Sequence, residues 1–285
     1  MIWSDLLKET ESKLKKIENY EFEAKQIILN AAGVSNSQWS EIEKDSVTTR
    51  SVASVDRSVG RRLSGEPLQY VLGSWSFRHL DLMVDKRVLI PRPETEEVVG
   101  WAIESLVAND LDMRRLKVAD LGAGSGAIGL SIAYEVPQAD VWITDYSSDC
   151  LEVARANLAG LGVKGSSVRI SQGDWFDAFE DQLKDSFDLI ISNPPYISPT
   201  EQLDSSVLDW EPNSALISSP NGDEFVNHLI DEANNWLAPG GILVLEMAPW
   251  QVEPAVKRAN KIYSTVVSKV DLSGNPRSII ATKHN

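Results

Sequence analysis

Four residues in the second half of the chain, Asn193-Pro194-Pro195-Tyr196, have types and an order that could do chemistry. Both prolines lack a main-chain donor and have φ fixed, so the Pro194 carbonyl is held outward instead of joining a ladder. The side-chain oxygen of Asn193 adds a second acceptor nearby. Two fixed acceptors suit a planar NH2 group, which has two hydrogens to give, and Tyr196 offers a flat face to a planar amide or base. The nitrogen of such a group is a poor nucleophile because its lone pair is delocalised. Accepting both hydrogens orients it and favours the charge that develops as it attacks an electrophilic carbon. Read as structure alone, the same residues are a rigid exit from a strand.

A second candidate lies upstream. Val118-Ala119-Asp120-Leu121 runs directly into Gly122-Ala123-Gly124-Ser125-Gly126, a strand followed by a glycine turn and a helix. Glycines tolerate positive φ there and let a ligand press against backbone without a Cβ. Asp145 ends the next strand and is suited to accept from both hydroxyls of an adenosine ribose. The glycine spacing alone is a weak dinucleotide fingerprint, with Ala127 in the third glycine position. Three details favour S-adenosylmethionine over a dinucleotide. Asp120 precedes the turn, where a pyrophosphate would be repelled. Gly173-Asp174-Trp175 offers an acid and a ring to an adenine. The Asn193 motif, not a nicotinamide site, ends the fourth strand. The bland reading of the glycines is a tight connection with no ligand.

The elements needed to hold these residues are legible. Short apolar strands at Lys117–Leu121, Val141–Asp145, Val168–Ser171, Phe187–Ser192 and Ile242–Glu246 alternate with helical stretches at Ala127–Tyr134, Asp149–Leu158 and Asp223–Leu237. That succession predicts a parallel sheet with helices on both faces. Thr265–Val270 and Ser278–Thr282, separated by a turn, add an antiparallel hairpin. The first 65 or so residues read as helices, with Leu6, Leu7, Leu14 and Ile17, then Phe22, Ile27, Ile28 and Leu29, at helical spacing. Asn36 and Ser37 are placed to cap a helix near Gln38. In a last helix, about 46–63, Val52, Val55 and Val59 share one face, and Arg50, Arg57 and Arg61, with Arg62 adjacent, the other. This stripe is either a solvated face or a docking surface for an acidic partner. Between the helical and alternating regions, Ser76–Leu82 and Lys86–Ile90 are predicted to pair as a hairpin.

Composition narrows the function. At 42% hydrophobic and 24% charged the chain is of ordinary globular type, and no apolar run reaches the ~18 residues of a membrane span. The start is too charged for a secretory signal, so a cytoplasmic location is expected. One cysteine, Cys150, precludes an internal disulfide, and His79, His228 and His284 form no metal or triad spacing; no metal is expected. Cys150 reads as a buried helix-start residue. The net charge of -15 is uneven: residues 1–92 carry 14 bases and 13 acids, residues 93–285 carry 13 bases and 29 acids. The acidic part would repel a phosphate backbone, so direct binding of duplex nucleic acid is not expected. A monomer is the default.

Taken together, the motifs resemble the PrmC/HemK family of peptide chain release factor glutamine methyltransferases. The match runs through Gly65-Glu66-Pro67-Leu68-Gln69-Tyr70, Ile90-Pro91-Arg92-Pro93-Glu94-Thr95-Glu96, Asp120–Gly126, Asn193–Tyr196 and Glu211-Pro212 with Ala215-Leu216. The motif at 193–196 is shared with adenine-N6 methyltransferases; the segment at 90–96 is more particular to this family. The resemblance implies an α/β class I S-adenosylmethionine-dependent methyltransferase domain, Rossmann-like, with a mostly parallel sheet and a terminal antiparallel hairpin strand. It implies residues 1–73 as a helical substrate-docking domain, 74–93 as a β-hairpin linker and 94–285 as the catalytic domain. Its reaction is methyl transfer to the side-chain nitrogen of the glutamine in a Gly-Gly-Gln tripeptide of class I release factors, leaving S-adenosylhomocysteine.

By position, Gly122, Ala123, Gly124, Ser125, Gly126, Asp145, Asp174, Trp175 and Asn193 would contact the cofactor. Asn193, Pro194 and Tyr196 would hold the glutamine, with Pro195 stiffening the motif, and Arg92 and Glu94 would border the pocket. Alternatives are a ribosomal-protein glutamine, an adenine N6, or a binding protein without turnover. Two departures from the family pattern stand out. Ala248-Pro249 replaces the usual glycine and following residue before Gln251, which predicts a differently shaped loop, and 218–223 is less glycine-rich than the pattern.

Overall fold

The computed structural model describes residues 1–109, 114–198, 208–218 and 222–285. They form two compact units: one holds residues 1–74 with 208–210, the other the rest of the described residues.

The first unit is helical: α1 (Trp3–Leu14), α2 (Tyr20–Ala32), α3 (Trp39–Ile42), α4 (Thr49–Leu63) and α5 (Leu68–Leu72). Leu6, Leu14, Ile27, Ile28, Val55 and Val59 are buried together with Tyr70, as the 3.6-residue spacing requires. Phe22 instead is exposed, one face away from Ile27 and Ile28. A 3-10 turn at Asn36–Gln38 precedes α3, and the N–H of Ser35, one residue before the expected caps, donates to Gln38 Oε1 at 2.9 Å. Thr48 caps α4 by accepting from the Ser51 N–H.

The arginine stripe of α4 is divided in use. Arg61 forks onto Glu66 and donates to the carbonyls of Tyr70 and Val71. Arg62 forks onto Glu23 at 2.6 and 3.1 Å. Both tie segments together, Arg61 while staying exposed and Arg62 half-buried. Arg50 and Arg57 remain exposed.

Next along the chain comes a small hairpin, β1 (Ser74–Phe77) paired with β2 (Leu80–Met83), which from Trp75 on belongs to the second unit. The hairpin forms earlier than anticipated: Lys86–Ile90 is not a strand, because Ser76 and Asp81 already face each other across the turn. Arg78, at φ 51°, sits in that turn and forks onto Glu135 at 2.6 and 2.7 Å. Then come α6 (Pro93–Asn109), β3 (Leu116–Leu121), α7 (Ala127–Glu135), β4 (Ala139–Asp145), α8 (Ser148–Gly160), β5 (Val168–Gln172), β6 (Phe187–Ser192) and α9 (Asn213–Leu216). The chain ends with α10 (Glu224–Ala233), β7 (Leu237–Glu246), α11 (Pro249–Ala259), β8 (Thr265–Val270) and β9 (Pro276–Thr282). Thus α10 is shorter than the 223–237 stretch and β7 longer than 242–246, since Leu237 already pairs with Phe187.

The strand order is β5-β4-β3-β6-β7-β9-β8, with β3 to β7 parallel and β9 antiparallel between β7 and β8. Period-2 alternation distributes each strand over two cores. Val118, Leu189, Ile191, Ile242 and Val244 pack with Val98 and Ala102 of α6 and Leu130 of α7. Ala119, Leu121, Ile190, Leu243 and Leu245 pack with Leu229 of α10 and Val252 of α11. Order reverses at β3, so the crevice for a ligand opens where β3 and β6 end. Those ends are Leu121 and Ser192, which pair directly.

Candidate active site

The turn after β3 is left-handed at Gly122 (φ 67°) and Gly124 (φ 55°), a conformation that side-chain-bearing residues rarely adopt. A Cβ on Gly122 would lie 3.3 Å from the Trp175 ring, while one on Gly124 would meet open space. Asp145, at the end of β4, clasps this turn. Its Oδ2 accepts from the Gly124 N–H at 2.9 Å and its Oδ1 from the Ser147 N–H at 2.8 Å. Burial raises its pKa, and those two bonds pull it back. Each oxygen keeps a lone pair for a hydroxyl of a ligand. From α8, Asn157 donates to the Ser125 carbonyl at 2.9 Å and bonds both main-chain groups of Met83. One side chain therefore joins the hairpin, α8 and the glycine turn.

Asp120 has a different part from the one its sequence position suggested. It is fully buried, faces α7 and accepts from the Gly129 N–H at 2.8 Å. Burial pushes it up to about 7. It lies under the turn as a support for α7 and is not on the cavity wall.

Above the turn is a cavity of about 820 Å³. Gly122, Ala123, Gly124, Ser125, Asp145, Asp174, Trp175, Asn193 and Pro195 all line it. Sites predicted from four separate strand ends are thus brought to one space. Gly126, Pro194 and Tyr196 do not reach its wall; Gly126 closes the turn by donating its N–H to Ala123 O. Arg92 lines the cavity and Glu94 does not.

Trp175 follows β5 in a left-handed conformation, φ 47°, and packs against Phe225 at 5.4 Å between centroids. Phe225 and Ile217 are wall residues that the sequence reading missed. No spacing rule marks Phe225, which follows the first residue of α10.

The motif segments meet around Asn193. Glu211, buried in a loop, accepts from the Ile90 N–H at 3.1 Å and pairs with Arg92. Two of the segments that carry the family resemblance, 90–96 and 211–216, are therefore joined by one carboxylate. Asn193 donates its Nδ2 to Thr95 Oγ1 at 3.3 Å. Beyond the motif, Ile197 bonds the Leu216 carbonyl and accepts from Ser218, which pins the exit of Tyr196. Burial pushes the Tyr196 phenol up to about 12, with Glu246 adding to the shift.

The 248–251 departure folds as a helix start. Pro249 is the first residue of α11, where its missing N–H leaves nothing unpaired. Gln251 accepts from the Ala248 N–H and donates to the Gly222 carbonyl at 2.8 Å. Of the 218–223 departure, 219–221 lie outside the described residues. Cys150 is buried in the first turn of α8, its thiol pushed up to about 11 by burial.

Comparison with known proteins agrees with the fold. Residues 103–209 match the methyltransferase small domain and residues 5–73 the PrmC N-terminal domain. A release factor glutamine methyltransferase of Streptomyces coelicolor is 39% identical over 229 residues, 79% of each chain. The chain belongs to the release factor glutamine methyltransferase family. The Bifidobacterium longum member is 35% identical over 99% of both chains. Among solved structures, a Pyrococcus furiosus methyltransferase superposes with a TM-score of 0.52 at 21% identity, covering 81% of this chain and 99% of that one. A 16S rRNA methyltransferase of T. thermophilus, in complex with AdoMet and guanosine, gives a TM-score of 0.51 at 18% identity, covering 74% and 50%. These structures share the class I fold.

Proposed function

We propose that this chain transfers the methyl group of S-adenosylmethionine to the side-chain nitrogen of the glutamine in the Gly-Gly-Gln tripeptide of class I release factors. The observation that carries this reading is the opening of the glycine turn, Asp145, Trp175 and Asn193 onto one cavity at the switch point of the sheet. The relatives' name supplies the substrate class.

The residues present fit the cofactor. Open space over Gly124 admits its chain, Asp145 retains lone pairs for the ribose hydroxyls, and Trp175 offers its ring to the adenine. The bound sulfonium supplies an already activated methyl carbon. Asn193 Oδ1 and the Pro194 carbonyl accept the two amide hydrogens and aim the nitrogen lone pair at that carbon. Methylation would leave the C–S electron pair on the departing thioether, and one proton would pass from the nitrogen to water. Among the described residues no group of three His, Cys, Asp or Glu side chains could hold a metal ion.

Residues 1–73 would seat the protein substrate, with a monomer acting in the cytoplasm. Among the described residues, no helix is long and apolar enough to cross a membrane.

The test is transfer of labelled methyl to a purified release factor, beside its Gln→Ala variant, a ribosomal protein and duplex DNA. Label on the wild-type factor alone supports the proposal. Label on the ribosomal protein or the DNA reassigns the substrate, and cofactor binding without label anywhere points to a binding protein without turnover.

A further inference from the structure

Asn157 is buried on α8, 6% exposed, and its amide is committed at three points. Oδ1 accepts from the Met83 N–H at 2.7 Å, and Nδ2 donates to the carbonyls of Met83 at 3.1 Å and Ser125 at 2.9 Å. The partners fix which way round the amide lies. A main-chain N–H can only give a proton and the two carbonyls can only take one, so oxygen faces the first and nitrogen the other two. Both amide protons are then in use. Met83 ends β2, and Ser125 lies in the glycine turn after β3.

The joined segments both depend on outside support. The hairpin β1–β2 is a sheet of two strands, which has little stability of its own and takes it from the surface it lies on. Phe77, Leu82 and Val84 bury their side chains, whereas Met83 turns its own outward and has its main chain held by Asn157. The glycine turn is gripped from two sides. Asp145 accepts from the Gly124 N–H, and Asn157 donates to the carbonyl of Ser125, the next residue. Ser125 is on the cavity wall, so the peptide that Asn157 holds is one that a ligand over the turn would meet.

We propose that Asn157 is a positioning residue for the cofactor that couples the glycine turn to the hairpin: S-adenosylmethionine in the cavity steadies the hairpin, and an ordered hairpin favours the cofactor by the same factor. This rests on the reading that the cofactor lies over the glycine turn. The physical step is a loss of motion. A ligand against the turn narrows the movement of the Ser125 carbonyl, the amide passes that restraint to Met83, and local opening of the hairpin becomes rarer. A second route leads round the wall. Leu89, Pro91 and Arg92 line the cavity, and Arg87 just before them is tied to α8 through Cys150 and Glu152. That route bypasses Asn157, so a change confined to the Asn157 donors separates the two.

Asn157→Asp makes that change. It keeps the size of the side chain and the acceptor for the Met83 N–H, and replaces the donor facing both carbonyls by an acceptor. Hydrogen exchange of residues 80–84 and 122–130 is followed with and without saturating S-adenosylmethionine. Calorimetric affinity is measured beside it, with KM for the cofactor and kcat on a release factor. In the wild type, the cofactor is expected to slow exchange at least about threefold in both segments. In Asn157→Asp it slows 122–130 alone. The cofactor also binds about tenfold more weakly there, the loss falling on its KM more than on kcat. A hairpin that still slows to the wild-type degree in Asn157→Asp overturns the proposal and assigns the coupling to the wall. A wild-type hairpin whose exchange ignores bound cofactor overturns it without any variant. Absence of calorimetric binding to the wild type overturns the cofactor reading itself. If Asn157→Asp does not fold, Asn157→Ser, which breaks the same carbonyl bonds with a shorter side chain, is read in its place.

Discussion

Trp175 holds a left-handed backbone, φ 47°, with its ring over Gly122 and against Phe225. A non-glycine residue there carries about 1–3 kcal/mol of local strain, which persists only where surroundings over-determine it. The surroundings here are the cavity wall, where the Trp175 ring lies. Trp175→Ala is expected to weaken S-adenosylmethionine binding by about tenfold, as loss of one aromatic contact predicts, with little change in melting temperature. Unchanged calorimetric affinity would place the adenine elsewhere. Asn193→Ala should lower kcat by at least about 100-fold, the scale of losing one fixed hydrogen-bonding group at a developing charge, and leave cofactor affinity nearly intact. Equal loss of both would make Asn193 a cofactor support.

Connections between elements show the same economy. Gly173 links β5 to the 3-10 turn Trp175–Ala178, and a Cβ on it would come within 2.5 Å of the Ala178 backbone. Gly173→Ala must displace that turn, and Trp175 with it, so cofactor affinity should fall while the sheet stays folded; calorimetry beside circular dichroism checks this. Asp120 makes the pairing of β3 and α7 sensitive to pH. Its folded pKa of about 7 lies above the ~3.9 of an exposed aspartate. Between those values the folded protein keeps a proton that the unfolded chain has released. Stability should thus decline as pH rises from about 4 to about 7 and be flat on either side. Buried Glu246 acts in the same direction. In Asp120→Asn, denaturant titrations should show a shallower decline over that window. An unaltered slope would put the proton elsewhere.

Over the whole molecule, charge decides which partners are admitted. The net charge is -15, with the excess of acids after residue 92. That excess opposes a phosphate backbone, so the expectation is that no label reaches DNA even at low salt, where any attraction to phosphate is strongest. With Arg61 and Arg62 committed to Glu66 and Glu23, Arg50 and Arg57 are the exposed remainder of the α4 stripe. If that remainder meets an acidic surface on the release factor, the double change to glutamate raises KM for the factor by about tenfold at low salt, less at high salt, with KM for the cofactor constant. An unchanged KM would return both arginines to the solvated face.

Patterns of period 2 and 3.6, together with the glycine and proline punctuation, were enough to read the parallel strands, most of the helices and the turns that line the cavity. Those features depend on local rules: which φ a residue tolerates and which face a side chain takes. Phe22 escaped them because periodicity marks a candidate face without saying whether anything covers it. The hairpin escaped because Ser76–Leu82 reads as one continuous strand, whereas the chain turns within it at Arg78. Asp120, Thr95, Asn157, Phe225 and Glu246 acquire their parts from neighbours distant in sequence. Asn193 is 98 residues from the hydroxyl to which it donates. The sequence by itself determined the strand–turn–helix units and the chemistry carried at their tips. Only the tertiary structure decided which tips meet, what burial does to a carboxyl, and in which direction a hydrogen bond runs, because those depend on distance in space.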